Sequence, residues 1–341
     1  MTLSPFPSGT DRSDQGNRPT PISRVWAGRK VLAEDLQGED LAEVLHLHAK
    51  ASAWWVIATG DGEIEHVADE LGLDDLAVAD LVKNERWVGY EEFDATAIFG
   101  SHAVQIDPAT ALFVVQPANL VMTDQVIICL AGPPTRHGFS PARVWTDSAA
   151  QLADHGVEGA AQVMITAVLD SYETAVRWLE DQADQLTEAI FAERPLSRSE
   201  QIWAFRLRAA LSKLHRVAEP MQSAIDDLVD SPRRSEQESR RWNKIVERNE
   251  RMMRRADALR EVLTSVFQTS LALSDDHANQ IMKRLTGWAA IIAVPTLVTG
   301  FVGMNVRFPL SSSTAGFWVY LVIMVVPVVI LFAVFRRLDW I

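Results

Sequence analysis

The sequence predicts an α/β domain in its N-terminal part, a long helical stalk after it, and two membrane-spanning helices at its C-terminal end. Three observations carry that reading. Compact apolar runs separated by turn residues occur up to about Gly156, and nothing strand-like follows from about Ala160. No Pro or Gly interrupts the chain from Arg233 to Thr286. From Leu285 to Phe335, 51 residues hold one charged side chain, Arg307, while the other 290 hold 31 of the 32 Lys/Arg and all 45 Asp/Glu.

Whole-chain figures conceal this split. With 48% hydrophobic residues and a mean hydropathy of +0.02, the 341 residues look like an ordinary soluble protein of two or three units. Outside the apolar segment the net charge is −14. No basic patch is evident there to neutralise phosphates, which argues against a nucleic-acid partner. A lone cysteine, Cys129, excludes an intrachain disulfide framework and suits a reducing compartment. Eleven Trp and 13 Phe give enough apolar surface to exclude disorder as the main state.

In chain order, residues 1–22 are polar, lack a signal-peptide pattern and are expected to be a disordered tail. Residues 23–156 form the expected cytosolic α/β domain. Within it Trp54–Ala58 is a β-rich run ended by Thr59-Gly60-Asp61-Gly62, and Ile64–Leu71 and Leu76–Val82 have helical spacing. Ala95–Phe99, Ala111–Val115, Leu120–Met122 and Val126–Leu130 read as strands separated by Pro and Asn/Asp turns. Residues 157–284 form the expected helical stalk. Pro195 separates a helix around Ala160–Glu193 from one around Ser197–Leu228, and Ser231-Pro232 ends the second. Beyond that break apolar residues recur at spacings of three and four, from Trp242 to Leu285. A helix continuous from Ser235 to Val302 would be ~100 Å long, against about 11–12 residues for an ordinary one. Such a helix needs partners along its length, so self-association is expected.

The first span is expected at 285–306, an outer loop at 307–314, the second span at 315–335 and a basic cytosolic tail at 336–341. Leu285–Val302 is 18 uncharged residues and Ala315–Phe335 is 21, enough for each to cross a ~30 Å hydrocarbon core. A pair of buried core helices would usually keep a polar stripe, and neither segment has one. Lys283 and Arg284 before the first span, and Arg336 and Arg337 after the second, outnumber Arg307 in the loop. Both termini are therefore expected in the cytoplasm of a multi-pass protein of the cell (inner) membrane.

The first span ends in Gly303-Met304-Asn305. On the residues alone two readings of Asn305 stay open. It caps the helix, or its amide oxygen faces water or a hydrated cation. Asp275, Asn279, Met282 and Thr286 are spaced four, three and four apart, so they share one helical face. That face puts an acid, an amide and then a methionine at the cytosolic end, with Asp275 a candidate metal ligand. Packing of Met282 against a neighbouring helix is the alternative. Pro295 stops this phase argument, because it removes a helical hydrogen bond and can kink the helix.

With these features in place, the chain resembles the CorA-type divalent-cation (Mg²⁺/Co²⁺) transporters, from about residue 30 to the end. The likeness rests on LGLDDLAVADLV (71–82), RWVGYEEFDATAIF (86–99), the run from Ala278 to Asn305 and the closing Arg336-Arg337-Leu338-Asp339-Trp340-Ile341. The resemblance implies a funnel-shaped homopentamer whose first spans line one axial pore, with divalent cations, lipid and further copies of the chain as partners. It implies a selectivity element at Gly303, Met304 and Asn305, and a pore that Asn279 and the hydrophobic constrictions Met282, Leu285 and Val294 line. Thr296 falls on the family's pore threonine. No resident cofactor is implied; Mg²⁺ enters as the transported and regulatory ion.

Two departures bear on the ion. Many family members follow the signature with an acidic loop, whereas Val306–Ser313 contains no acid and includes Arg307. An acid of the long helix in Mg²⁺-gated members is replaced here by Lys244, within Trp242-Asn243-Lys244-Ile245. A Zn²⁺ or Ni²⁺ transporter of the same fold, perhaps proton-coupled, and a non-conducting membrane-tethered sensor stay open beside the Mg²⁺/Co²⁺ reading. His46 and His48 would point about 200° apart on a helix, which disfavours a shared metal. Glu180, Asp181, Asp184 and Glu188 read as a solvated face or as regulatory ligands. No enzyme motif occurs, so no enzyme is expected.

Overall fold

The computed structural model describes residues 22–59, 63–83, 87–132, 138–231, 236–304 and 314–341. Residues 1–21 of the expected disordered tail, Asn305 and the outer loop through residue 313 lie outside the described residues, while the Ile22 carbonyl accepts from the Val56 N–H at 2.8 Å. Two compact units emerge. One comprises the residues up to Ala183 with Phe205–Glu261, the other Asp184–Ala204 with Val262–Ile341.

The first unit contains a mixed sheet of β1 (Ser23–Ala27), β2 (Lys30–Glu34), β3 (Ser52–Ala58), β4 (Gly89–Glu92), β5 (Ala97–Gly100), β6 (His102–Asp107), β7 (Leu112–Met122) and β8 (Val126–Ala131). The strand order is β2-β1-β3-β8-β7-β5-β4, with β6 paired to β7 off that path. Only β3 and β8 pair in parallel among these ladders. Both are apolar on both faces, as a strand covered on two sides must be. Trp55 and Ile57 of β3 pack into a core with α1 (Gly38–Leu47), α2 (Glu63–Val67) and α3 (Asp75–Lys83). Because successive side chains alternate, Trp54 points the other way. Its ring centroid lies 5.4 Å from that of Trp145 in α4 (Pro141–Asp147). Cys129 is fully buried in β8, and burial pushes its thiol well above the ordinary range.

The run from Ala111 to Met122 reads as two strands in the sequence, with Pro117 as the break. In the structure β7 is one strand of 11 residues that changes partner at the proline. Residues 112–117 pair with β6, and residues 118–122 pair with β8, with β5 on the other side. A residue without N–H is tolerated where one ladder ends and the next begins. The Ser101 N–H meets the Asn119 side-chain oxygen at 3.0 Å, which satisfies the backbone beside the switch.

Three long helices follow: α5 (Ala149–Phe191), α6 (Arg198–Val229) and α7 (Glu236–Val302). Gly156, at φ 58° and ψ −141°, interrupts α5 in a conformation that glycine adopts and side chains resist. Within the first unit α7 is tied to its neighbours by polar contacts. Arg248 reaches Glu173 (2.7 Å) and Asp170, Arg255 pairs with Glu180, and the Asn249 amide donates to Gln222 at 2.6 Å. The Arg248 guanidinium holds the Glu173 carboxyl below its usual range. Glu180 is thus committed to an arginine, which settles its part in the acidic face of α5.

In the second unit the start of α6 is a capping box. The Glu200 N–H meets Ser197 Oγ at 3.3 Å, and the Ser197 N–H meets Glu200 Oε2 at 2.7 Å. Arg194 adds two hydrogen bonds of 2.7 and 2.9 Å, and together these hold the Glu200 carboxyl down at about 2. Helix α8 (Thr314–Arg337) ends in a Schellman motif, with Trp340 N–H on Phe335 O at 2.9 Å and Asp339 at positive φ. The Phe335 and Trp340 rings stack at 5.5 Å. A Cβ at Gly287 would come within 3.2 Å of Ile341, so the hydrogen there lets the C-terminal residues lie against α7.

Candidate ion path

The buried residues of α7 define a seam. Trp242, Ile245, Asn249, Met252, Ala256, Leu259, Leu263, Val266 and Ser270 are buried in steps of three and four, an alternation with the 3.5-residue period of coiled-coil packing. The same steps lead on through Gly287 and Ile291, which are buried, to Val294 and Val298, which are half-buried. The buried residues of α7 lie on that line.

The opposite face is bare. At 100° per residue, Asp275, Asn279, Met282, Thr286, Ala289, Ala293, Leu297 and Gly300 fall within about 40° of a common direction, and Met304 follows just past the helix end at Val302. All nine are exposed, with Met282 at 61% and Leu297 at 74%. Helix α7 continues through Pro295 to Val302, so the phase that could not be carried past the proline from sequence carries to Gly300. Leu285 (64% exposed) and Thr296 lie on one flank of this face, and Gly303 is exposed beside them. Val294 does not join them. It lies about 100° round the helix, beside the seam of Gly287, Ile291 and Val298. Ala293 holds the position on the bare face instead.

A groove of about 910 Å³ runs along this stretch, lined by Ala289, Ala293, Thr296, Leu297, Gly300 and Met304 among others. The Thr296 hydroxyl donates to the Ile292 carbonyl at 2.8 Å and the Thr299 hydroxyl to Pro295 at 2.8 Å. Donating inward leaves the hydroxyl lone pairs as outward acceptors. The face therefore offers an acid and an amide at one end, an apolar middle, and a hydroxyl before the signature.

Both apolar segments are nearly uncovered within the chain. The most apolar 18-residue windows of α7 and α8 are 11% and 0% buried. Within the chain neither helix is covered as the core helices of a soluble domain are.

A family model described as "CorA-like Mg²⁺ transporter protein" matches residues 50–337. The chain belongs to that family. The cobalt/magnesium transport protein CorA of Methanocaldococcus jannaschii is 29% identical over 181 residues, 52% of this chain and 56% of that one. Its counterpart from Thermotoga maritima is 25% identical over 180 residues, 52% of this chain and 51% of that one. The chain thus spans about half the length of the curated relatives it matches. The complete structure of the M. jannaschii CorA magnesium transporter superposes with a TM-score of 0.75 at 21% identity, covering 95% of this chain and 100% of that one. The CorA-like fold of N-terminal α/β domain, long helix and two C-terminal apolar helices is thereby established, and the relatives named are transport proteins.

Thr286, Ala289, Ala293 and Leu297 join the bare face without having been singled out beyond Thr286. Their signal was the helical period itself, which the sequence reading followed only as far as Thr286.

Proposed function

We propose that the chain is a divalent-cation channel of the cell (inner) membrane, passing Mg²⁺ and Co²⁺ through the axial pore of a homopentamer. The uncovered face of α7 from Asp275 to Gly300 carries this reading. Apolar side chains there have no partner surface within their own chain, and several copies turning that face to a common axis would supply one. Asp275 and Asn279 then stand at the cytosolic mouth, and Met282 and Leu285 form an apolar neck that closes by dewetting. Thr296 places hydroxyl oxygens on the path, and Asn305 places amide oxygens at the outer mouth after Gly303 and Met304. Mg²⁺ dehydrates reluctantly and takes oxygen ligands, so hydroxyl and amide acceptors suit an ion that keeps its water. Lys and Arg beside the spans put both termini inside.

A second reading rests on one observation, the acid-free outer segment with Arg307. Five such charges would repel cations at the mouth, and a Zn²⁺ or Ni²⁺ transporter of this fold tolerates that better if uptake is coupled to another gradient. The deciding experiment is flux of Mg²⁺, Co²⁺, Zn²⁺ and Ni²⁺ into liposomes holding the pure protein, at matched concentrations. Mg²⁺ and Co²⁺ flux without a proton gradient supports the channel. Zn²⁺ or Ni²⁺ flux that needs a gradient transfers the assignment to the second reading, and no flux of any ion overturns both.

A further inference from the structure

The first unit contains a polar cavity of about 540 Å³ that the ion path does not use. Its walls come from β3, β4, β5, the interruption of α5 at Gly156, Ser231 and the start of α7. Arg241 lines it, and its Nε and Nη1 are buried without a hydrogen-bond partner among the described residues. Buried guanidinium donors are normally paired, because leaving them bare forfeits their hydration. The nearby carboxylates do not supply the acceptor. Glu158 accepts from the Trp242 indole, and Glu92 accepts from Tyr90 and Ser231. The guanidinium therefore calls for an oxyanion from outside the chain.

The cavity's rim sets a second condition. Asp124 and Asp154 line it and are exposed; Asp154 pairs with Arg29 at 3.5 Å, so it is chiefly at Asp124 that a bare polyanion would meet like charge on entry. A phosphate compound whose charge is partly neutralised by a chelated divalent cation meets both conditions, with phosphate oxygens on Arg241 and the cation toward the rim acids. The volume lies within the range of small-ligand sites and accommodates a nucleotide. The Tyr90 ring and the Met122 and Ala97 side chains offer the apolar wall that a base needs. We propose that this cavity binds a nucleotide-sized phosphate compound in its magnesium-chelated form. The site is separate from the ion path and does not depend on the chain conducting.

The test is calorimetric titration of the full-length protein in detergent with MgATP, with ATP plus EDTA, with MgCl₂ alone and with inorganic phosphate. MgATP is expected to bind once per chain and more tightly than each of the other three. Arg241→Gln should weaken it by about tenfold or more while leaving the melting temperature of the ligand-free protein unchanged, since no partner is lost. Asp124→Asn with Asp154→Asn should narrow the gap between MgATP and ATP plus EDTA. Absence of MgATP binding at millimolar concentration overturns the proposal, as does binding indifferent to Arg241→Gln. A large drop in ligand-free melting temperature in Arg241→Gln also overturns it, by making the arginine structural. An unchanged gap in the double variant removes the chelated cation from the proposal.

Discussion

The two ends of α7 solve the same problem in opposite ways. From Trp242 to Ser270 the helix buries a residue every third or fourth position and fastens itself with Arg248, Asn249 and Arg255. From Leu271 to Val302 only Gly287 and Ile291 are buried, and the exposed side chains are mostly apolar. The first stretch is complete within one chain. The second leaves its apolar surface uncovered within the chain, and the proposed channel would cover it with lipid and further copies. One helix thus carries two burial regimes, and the proposed function explains the second by partners outside the chain.

The largest expected effect breaks the comparison at its bare end. Asn305→Leu keeps size but removes the amide that the proposed channel needs at its outer mouth, and should abolish cation flux while native mass spectrometry finds the same assembly as in wild type. Normal flux would return Asn305 to a helix-capping role.

Trp242→Ala strikes the buried end. Removing a fully buried indole, with its hydrogen bond to Glu158, should cost about 3–5 kcal/mol. The check is a lowered melting temperature with unchanged ion selectivity in whatever protein remains folded. A melting temperature equal to wild type would mean that the seam carries little of the stability.

Met282→Gly tests whether the bare face closes the path. It removes an apolar side chain that is 61% exposed and touches little inside the chain, so stability should fall by only about 1 kcal/mol. Flux should become constitutive. If the variant conducts no better than wild type, the constriction lies elsewhere on α7.

The smallest effect concerns pH at the α6 cap. Glu200 has a folded value of about 2, below its ordinary value of 4.5. Its contribution is therefore fully present above about 4.5 and is lost as pH falls toward 2. Glu200→Gln should flatten the acid side of the stability profile of the second unit, and Ser197→Ala should cost about 1 kcal/mol by removing the cap. An unchanged profile in Glu200→Gln would deny the capping box any role.

Much of the fold was legible in the chain because it depends on local pattern. The charge break at Leu285, the turn-bounded strands and the unbroken run after Arg233 each specify an element type through the period or length they impose. Resemblance to the family then rested on segments that keep their order along the chain. Positions were harder. Pro117 reads as a strand break, yet β7 passes through it, since a residue without N–H disturbs only the ladder it would have joined and here the partner changes at that point. Val294 reads as a pore position, yet lies about 100° away from Ala293, because one residue of offset on a helix moves a side chain to another face.

What the sequence by itself determined is therefore the inventory: an acidic α/β domain, a helix of unusual length, two apolar segments and the Gly303-Met304-Asn305 signature. These are properties of composition and period, which need no knowledge of neighbours. Only the tertiary structure decided which face of α7 is covered and which is bare, that Glu180 belongs to Arg255, and that Arg241 stands in a cavity with no acceptor of its own. Burial and pairing are relations between residues far apart in the chain, 75 positions for Glu180 and Arg255, and no local pattern encodes them.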